Sequence, residues 1–344
     1  MTVQHPGARP TLEAVAAHAG VSRATASRVV NGGAGVRPPL VDKVRRAVEE
    51  LGYVPNHAAR TLVTRRTGAV AVIIPEPEIR IFSDPFFSQQ IRGISRELTA
   101  HDTQLVLLLV EGPGDYDRIA RYLAGGHVDG ALAFSLHTDD PLPAIARRTG
   151  MPTVYGGRPG WVTAPGERPV PYVDADNRGG ARQAVRHLLS LGRTRIAHIA
   201  GPRDQTSATD RLDGFHDVLP GADPELVEEG AFTAGSGTRA MARLLERRPD
   251  LDAVFAANDL MASGALRVLR EHGRRVPEDV ALVGFDDMRG VAETTDPPLT
   301  TVRQDIEGMG RLMARLLLRG LAEGAADAPT PVITETALVR RASA

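Results

Sequence analysis

Between residues 69 and 284, short apolar runs keep returning, with stretches of helix length between them. Ala69–Ile74, Thr103–Val110, Gly130–Phe134, Arg195–Ile199, Ala253–Ala256 and Val280–Gly284 all read this way. A run such as AVAVII leaves no face for water, so it must be covered on both sides, as a strand in a parallel sheet is. Phe87–Ala100 and Tyr116–Gly125 are read as covering helices. The runs are too many for one small sheet, and 344 residues exceed one ordinary core. The pattern therefore predicts an α/β body of two doubly wound lobes with a cleft between them. Ligands of such sheets bind beyond the carboxyl ends of the strands. Polar clusters stand there: Gly201–Arg211 after IAHIA, Asn258-Asp259 after FAA and Asp286-Asp287 after VGF.

The first 66 residues differ in kind. They hold ten Lys/Arg and four acids, a charge of +6 set on a remainder of −7. A basic head on an acidic body suits a polyanionic partner. Thr11 can cap a first helix whose Leu12, Val15, Ala16 and Ala19 share one face, with Gly20 at its end. Ser22 can cap a second helix with Ala26, Val29 and Val30 inward, which leaves Arg23, Ala24, Ser27 and Arg28 outward. A tight helix-turn-helix with a small polar outer face is the geometry that enters the major groove of DNA. Arg23, at the front of that helix, can bond guanine O6 and N7 together. Leu40, Val44, Ala47, Val48 and Leu51 mark a third helix that Gly52 ends. Asn56–Val63 is a helix too short to be stable alone.

Other classes find little support. There are no cysteines, so disulfides and thiolate metal sites are excluded, and a reducing cytoplasm fits. The N-terminus MTVQHPGARP has no signal-length apolar run, and the apolar stretches are too short to span a bilayer. No Ser/His/acid order, zinc spacing or supported carboxylate pair stands out, so no catalytic residue, cofactor or metal is expected. Gly235–Arg239 (GSGTR) lacks the Gly-Lys-Ser/Thr ending of a phosphate loop and reads as a helix start.

The run TLEAVAAHAGVSRATASRVVNG (Thr11–Gly32) and the run ELGYVPNHAARTL (Glu50–Leu62) resemble the headpiece of the LacI/GalR, or lactose-repressor, family. The similarity continues to the last strand, read as Val332–Val339. The resemblance implies an all-α helix-turn-helix headpiece at 1–55, a hinge helix and linker at 56–67, and an effector-binding core at 68–344. That core is of the periplasmic-binding-protein-like type I, with one lobe at about 68–168 and 299–326 and the other at about 169–298 and 327–344. The DNA contacts it implies are Ser22, Arg23, Ala24, Thr25, Ser27, Arg28, Asn31 and Tyr53, with Asn56, Ala59, Leu62 and Arg65 in the hinge. Leu62 matches a leucine that wedges between base pairs in the minor groove. Arg211, Asn258 and Asp286 match polar effector ligands, and Phe86 and Phe87 match aromatics at the cleft edge. Two departures concern the headpiece: Ala26 replaces the usual Val, and Arg37 replaces the Ser or Thr that would cap the third helix.

The expected protein is a cytoplasmic, homodimeric repressor of a palindromic operator. Its expected effector is a mono- or oligosaccharide inducer, a glucoside first. No heptad tail follows the last strand, so a tetramer is not expected. The alternatives are a nucleobase corepressor, which Gln205 disfavours by standing where a purine-binding relative needs arginine, and a carbohydrate-binding protein without DNA function. An enzyme on the same scaffold is the third. Leu62→Ala should weaken operator binding and leave effector affinity nearly intact, as a mobility-shift titration beside a sugar-binding assay will show; equal operator binding would remove the wedge.

Overall fold

The computed structural model describes residues 10–31, 35–54, 66–161, 170–323 and 331–344, which fall into two units, Met1–Thr67 and Gly68–Ala344. In the first unit, Thr11 Oγ1 accepts from the Ala14 amide at 3.2 Å and starts α1 (Leu12–Ala19). Gly20 ends α1 in the left-handed conformation, with φ 64°, where a side chain is disfavoured. Ser22 Oγ then accepts from the Thr25 amide at 3.1 Å and starts α2 (Arg23–Val30). The third helix, α3 (Pro38–Leu51), begins without a side-chain cap at Arg37 and relies on Pro38 in its first turn. Val15, Ala16, Ala19, Ala26, Val44 and Ala47 form its small core.

The second unit holds two six-stranded sheets. Its strands are β1 (Ala69–Ile74), β2 (Gln104–Leu109), β3 (Gly130–Phe134), β4 (Thr153–Gly156), β5 (Tyr172–Ala175), β6 (Ile196–Ala200), β7 (Val227–Glu229), β8 (Ala253–Ala256), β9 (Ala281–Asp286), β10 (Thr300–Arg303), β11 (Val332–Thr334) and β12 (Ala337–Val339). The first sheet runs β11-β5-β4-β3-β1-β2, and every pair in it is parallel. The second runs β12-β10-β9-β8-β6-β7, parallel except for β12 against β10. Both are wound alike, and both reverse direction at the corresponding point, between β1 and β3 and between β6 and β8. Each has apolar cover on two faces. In β1, Val70, Val72 and Ile74 enter one core cluster while Ala71 and Ile73 enter another, as the two-residue period of a strand requires.

The lobe boundaries differ from those read in the sequence. β5 pairs in the first sheet and β10 in the second, so the chain crosses at Asp176 and at Gln304-Asp305, each several residues later than expected. The segment Val332–Val339 is two strands, and its third crossing, Glu335-Thr336, lies inside the stretch read as one. The boundaries expected at about 168, 298 and 326 each precede a strand that completes a sheet. Pairing of those strands keeps the chain in its lobe to the strand's end.

The first lobe is locked by two helices, α5 (Pro85–Ala100) and α13 (Ile306–Glu323). They approach so closely that a Cβ on Gly93 would lie 2.0 Å from Glu307 O, and one on Gly310 would lie 2.4 Å from Gln90 O. The second lobe repeats the device between α10 (Ala234–Arg247) and α11 (Asp259–Glu271), through Gly237 and Gly264. Since α5 carries Phe86, Phe87 and Gln90, this packing sets one wall of the cleft described next. Gly93→Ala should force the helices apart and destabilise the lobe by about 1–3 kcal/mol; urea unfolding will measure it, and an unchanged midpoint would show that the backbones can part freely.

Candidate functional site

On the headpiece, α2 presents Ser22, Arg23, Ala24 and Arg28 to solvent, with Thr25 and Ser27 half-buried. Ala26 is fully buried beneath them. In the free protein Arg23 Nε pairs with Glu13 at 2.6 Å, and both side chains are largely exposed. Such a pair is weak, so the guanidinium can exchange Glu13 for another anion. Ser22 and Thr25 spend their hydroxyls on the helix start, bonded to each other at 2.9 Å. Asn31 closes the other end, its Nδ2 donating to Ser27 O at 2.9 Å. Tyr53 packs against the headpiece core. Asn56, Ala59, Leu62 and Arg65 lie outside the described residues.

In the body, the carboxyl ends of both sheets face one cleft of about 960 Å³, its solvent-open mouth included. Phe86, Phe87, Arg211, Asn258 and Asp286 all line it. Arg211 projects from α9 (Thr206–Val218) and is only 4% exposed. Its Nε donates to Asn177 Oδ1 at 2.9 Å, its Nη1 donates to Ala257 O, and its Nη2 lies 3.5 Å from Asp286 Oδ1. The guanidinium carbon stands 3.8 Å from the centre of the Phe285 ring. Burial pushes the Asp286 carboxyl up to about 7, although Arg211 pulls it the other way. Gln304 Nε2 holds that carboxyl at 2.6 Å.

The remaining expected residues have mixed duties. Asn258 starts α11: its Oδ1 accepts from the Met261 amide at 2.8 Å, and its Nδ2 donates to Phe232 O at 3.0 Å. It lines the cleft chiefly as a cap. Phe87 is 1% exposed and stacks on Phe134 with centroids 6.2 Å apart, so it is floor, while Phe86 is half-buried at the edge. Asp84 caps α5 by accepting from the Phe86 amide at 2.9 Å, and burial raises its pKa. Trp161 reaches the cleft and meets Tyr155 edge-on at 5.2 Å.

Other residues of the site were not singled out in the sequence. Asp174 near the end of β5 accepts from Asn177 just beyond it, Asn177 in turn accepts from Arg211, and Phe232 follows β7. Glu76 and Arg80 follow β1, where the strand-end rule should have drawn attention to them. Ser135, Phe232 and Asp286 have φ values of 61°, 56° and 106°, a left-handed backbone that side chains rarely adopt. Three strained residues lining one cleft are what a functional site shows when packing over-determines its backbone.

Polar contacts also join the lobes. Thr138 N and Oγ1 both donate to Asp204 O, at 2.8 and 2.9 Å. His137 Nδ1 lies 2.7 Å from Asp204 Oδ2, and Gln205 Nε2 donates to Glu76 Oε1 at 2.9 Å. Arg158 of the first lobe pairs with Asp210 of the second at 2.6 Å. Glu76, 3.5 Å from the other His137 nitrogen, and Asp204 together push that imidazole up to about 9 against the effect of burial.

Residues 11–56 match the lacI family of bacterial regulatory proteins, and residues 185–344 match a periplasmic binding protein-like domain. The chain is 51% identical to the HTH-type transcriptional regulator CelR of Thermobifida fusca, over 97% of this chain and 98% of that one. It is 32% identical to the ribose operon repressor of Escherichia coli, over 91% and 93%. Among solved structures, a CelR–cellobiose complex is similar at TM-score 0.77 and 48% identity, covering 98% of this chain and 100% of that one. A lac repressor dimer bound to operator and the anti-inducer ONPF is similar at TM-score 0.83 and 28% identity, covering 98% and 99%. Among the described residues, no helix is long and apolar enough to cross a membrane.

The raised His137 imidazole has a consequence for pH. A protonated form favoured by the fold adds stability that is complete below its unfolded value of 6.5 and gone once pH passes about 9. Wild type should therefore exceed His137→Gln in unfolding free energy at pH 6, with the gap closing as pH rises through that window. A gap that stays constant with pH would show that the charge is not what joins the lobes.

Proposed function

Because this chain belongs to the lacI family of bacterial regulatory proteins, we propose that it is a homodimeric repressor of a palindromic operator, relieved by a glucose-based disaccharide of the cellobiose kind. One observation carries the reading: the buried Arg211–Asp286 pair in a cleft between two lobes. A sugar offers vicinal hydroxyls, each a donor and an acceptor, and an apolar ring face. Arg211 supplies donors, Asp286 an acceptor, and Phe86 and Trp161 supply flat apolar surface. Support for cellobiose comes from the 51% identity with a CelR regulator and from the likeness to a CelR solved in complex with that sugar. The alternatives of a nucleobase corepressor or a stand-alone carbohydrate-binding protein gain nothing from these relatives.

Each headpiece places α2 in one half-site, and residues 56–67 form the hinge to the core. The sugar binds the lobes in one relative orientation better than in another, and so biases the spacing of the two hinges. A coupling of about 1–3 kcal/mol changes operator affinity roughly 5- to 150-fold, enough for a switch. The cleft is assigned binding and no bond-breaking step, and the protein is placed in the cytoplasm with the DNA it controls. Operator affinity falls steeply with salt, because phosphates carry much of the contact.

Thermal-shift screening against sugars and nucleobases tests the effector directly, since a ligand of the folded state raises the melting temperature. Cellobiose should raise it in wild type, and Arg211→Ala should abolish the shift while the protein still binds operator. No shift with any sugar would end the sugar reading. Loss of operator binding in the sugar-free variant would show Arg211 to be structural.

A further inference from the structure

After β1 the chain turns through Pro75-Glu76-Pro77 into α4 (Glu78–Ser83), a six-residue helix that buries Ile81 but otherwise inverts the usual patterning. Ile79 and Phe82 are 81% and 69% exposed, yet the Arg80 side chain is only 14% exposed and lines the cleft. Hydrophobic burial alone would choose the opposite arrangement. Nη1 of Arg80 donates to Glu76 Oε2 at 2.6 Å. Its guanidinium carbon stands 5.8 Å from the centre of Phe87, in its own lobe, and 5.8 Å from Phe232, in the other. Arg211 stands 5.8 Å from the same Phe232 ring. Two arginines from opposite lobes thus flank one aromatic ring. The Arg80 Nε is buried and has no acceptor among the described residues. A buried donor left unmatched is costly, and a ligand cleft is where such a donor serves a purpose.

We propose that Arg80 is a specificity-determining residue for the effector, and that its Nε–H donates to an oxygen of a neutral oligosaccharide also held by Arg211. This rests on the sugar reading above and deepens it. Both arginines already have an acid, Glu76 for one and Asp286 for the other, and Asp84 and Asp174 add further carboxyls to the cleft. An anionic sugar would find both arginines already paired with acids, whereas a hydroxyl or glycosidic oxygen needs no counter-charge. A ligand lying against Phe232 meets donors from both lobes, so the second arginine distinguishes a disaccharide from a single ring and favours approach of the lobes.

Calorimetric titration with cellobiose, glucose and glucose 6-phosphate tests this on the full-length protein. Arg80→Lys keeps a cation beside Glu76 but loses the Nε–H. It should weaken cellobiose binding by roughly 10- to 150-fold and glucose binding by much less. The double variant Glu76→Gln/Arg80→Met, which removes both charges, should show the same loss of selectivity if the lysine variant folds poorly. Melting temperature without sugar, measured alongside, separates a lost contact from a damaged lobe. Cellobiose affinity within twofold of wild type in a folded variant overturns the proposal alone, as does tighter binding of the phosphorylated sugar by wild type. A wild type that binds none of the three overturns this proposal together with the sugar reading.

Discussion

A guanidinium shut away from water is the constraint around which the body is arranged. Burial works against the charge of Arg211, and isolated charges are not tolerated in such surroundings. The fold answers by surrounding it: Asn177 from the start of α8 (Asn177–Ser190), a backbone carbonyl after β8, the Asp286 carboxyl at the end of β9, and the Phe285 ring face. The partners come from two strand ends of the second lobe, those of β8 and β9, and from the helix that follows the crossing into it. Moving any one of those ends would strand the charge, so the cation demands that the ends stay in register. Asp286 accepts a left-handed backbone to meet it. Organisation of the cleft before a ligand arrives follows from this, because most of the ordering is done by folding.

The first lobe encloses acids rather than a cation, with Glu76 3% and Asp174 7% exposed. Its contribution is carried on loops after β1, β3 and β4, and those loops also supply the contacts to the second lobe through Thr138, His137 and Arg158. The division suits a sensor. One lobe holds a rigid polar anchor, and the other brings groups whose exchange between protein and ligand partners can shift the angle between them. The headpiece follows a related economy: its Arg23 is parked on Glu13 by a surface ion pair that is readily exchanged.

Much of this was legible in the residues. Runs such as AVAVII can only be doubly covered strands, and strand ends locate ligand sites, so Arg211, Asn258 and Asp286 could be assigned to one cleft without coordinates. The caps at Thr11 and Ser22 follow from local hydrogen bonding, which sequence reports well. Harder to see was anything set by pairing between distant strands. Val332–Val339 looks like one strand because nothing local shows that Thr334 pairs with Ala175 whereas Ala337 pairs with Arg303. Phe87 and Phe86 are adjacent and alike, and only packing under Phe134 makes one floor and the other rim. Phe232 sits in an unremarkable GAF run; its role comes from arginines over a hundred residues before it and some twenty before it in the chain.

The three places where the chain passes between lobes share a property. Asp176, Gln304-Asp305 and Glu335-Thr336 follow directly on strand ends, so all lie level with the bottom of the cleft, and Asp176 is bonded to Thr334 O and Thr336 Oγ1. Connectors so short have no slack to let the lobes slide; they act as a pivot. The amino end of β1, where the core begins at Gly68, lies at the opposite end of its sheet, a strand's length of about 20 Å from that pivot. A small rotation at the cleft is therefore swept out into its widest arc at Gly68, where the core begins, and the lobe works as a lever with the cleft beside its fulcrum.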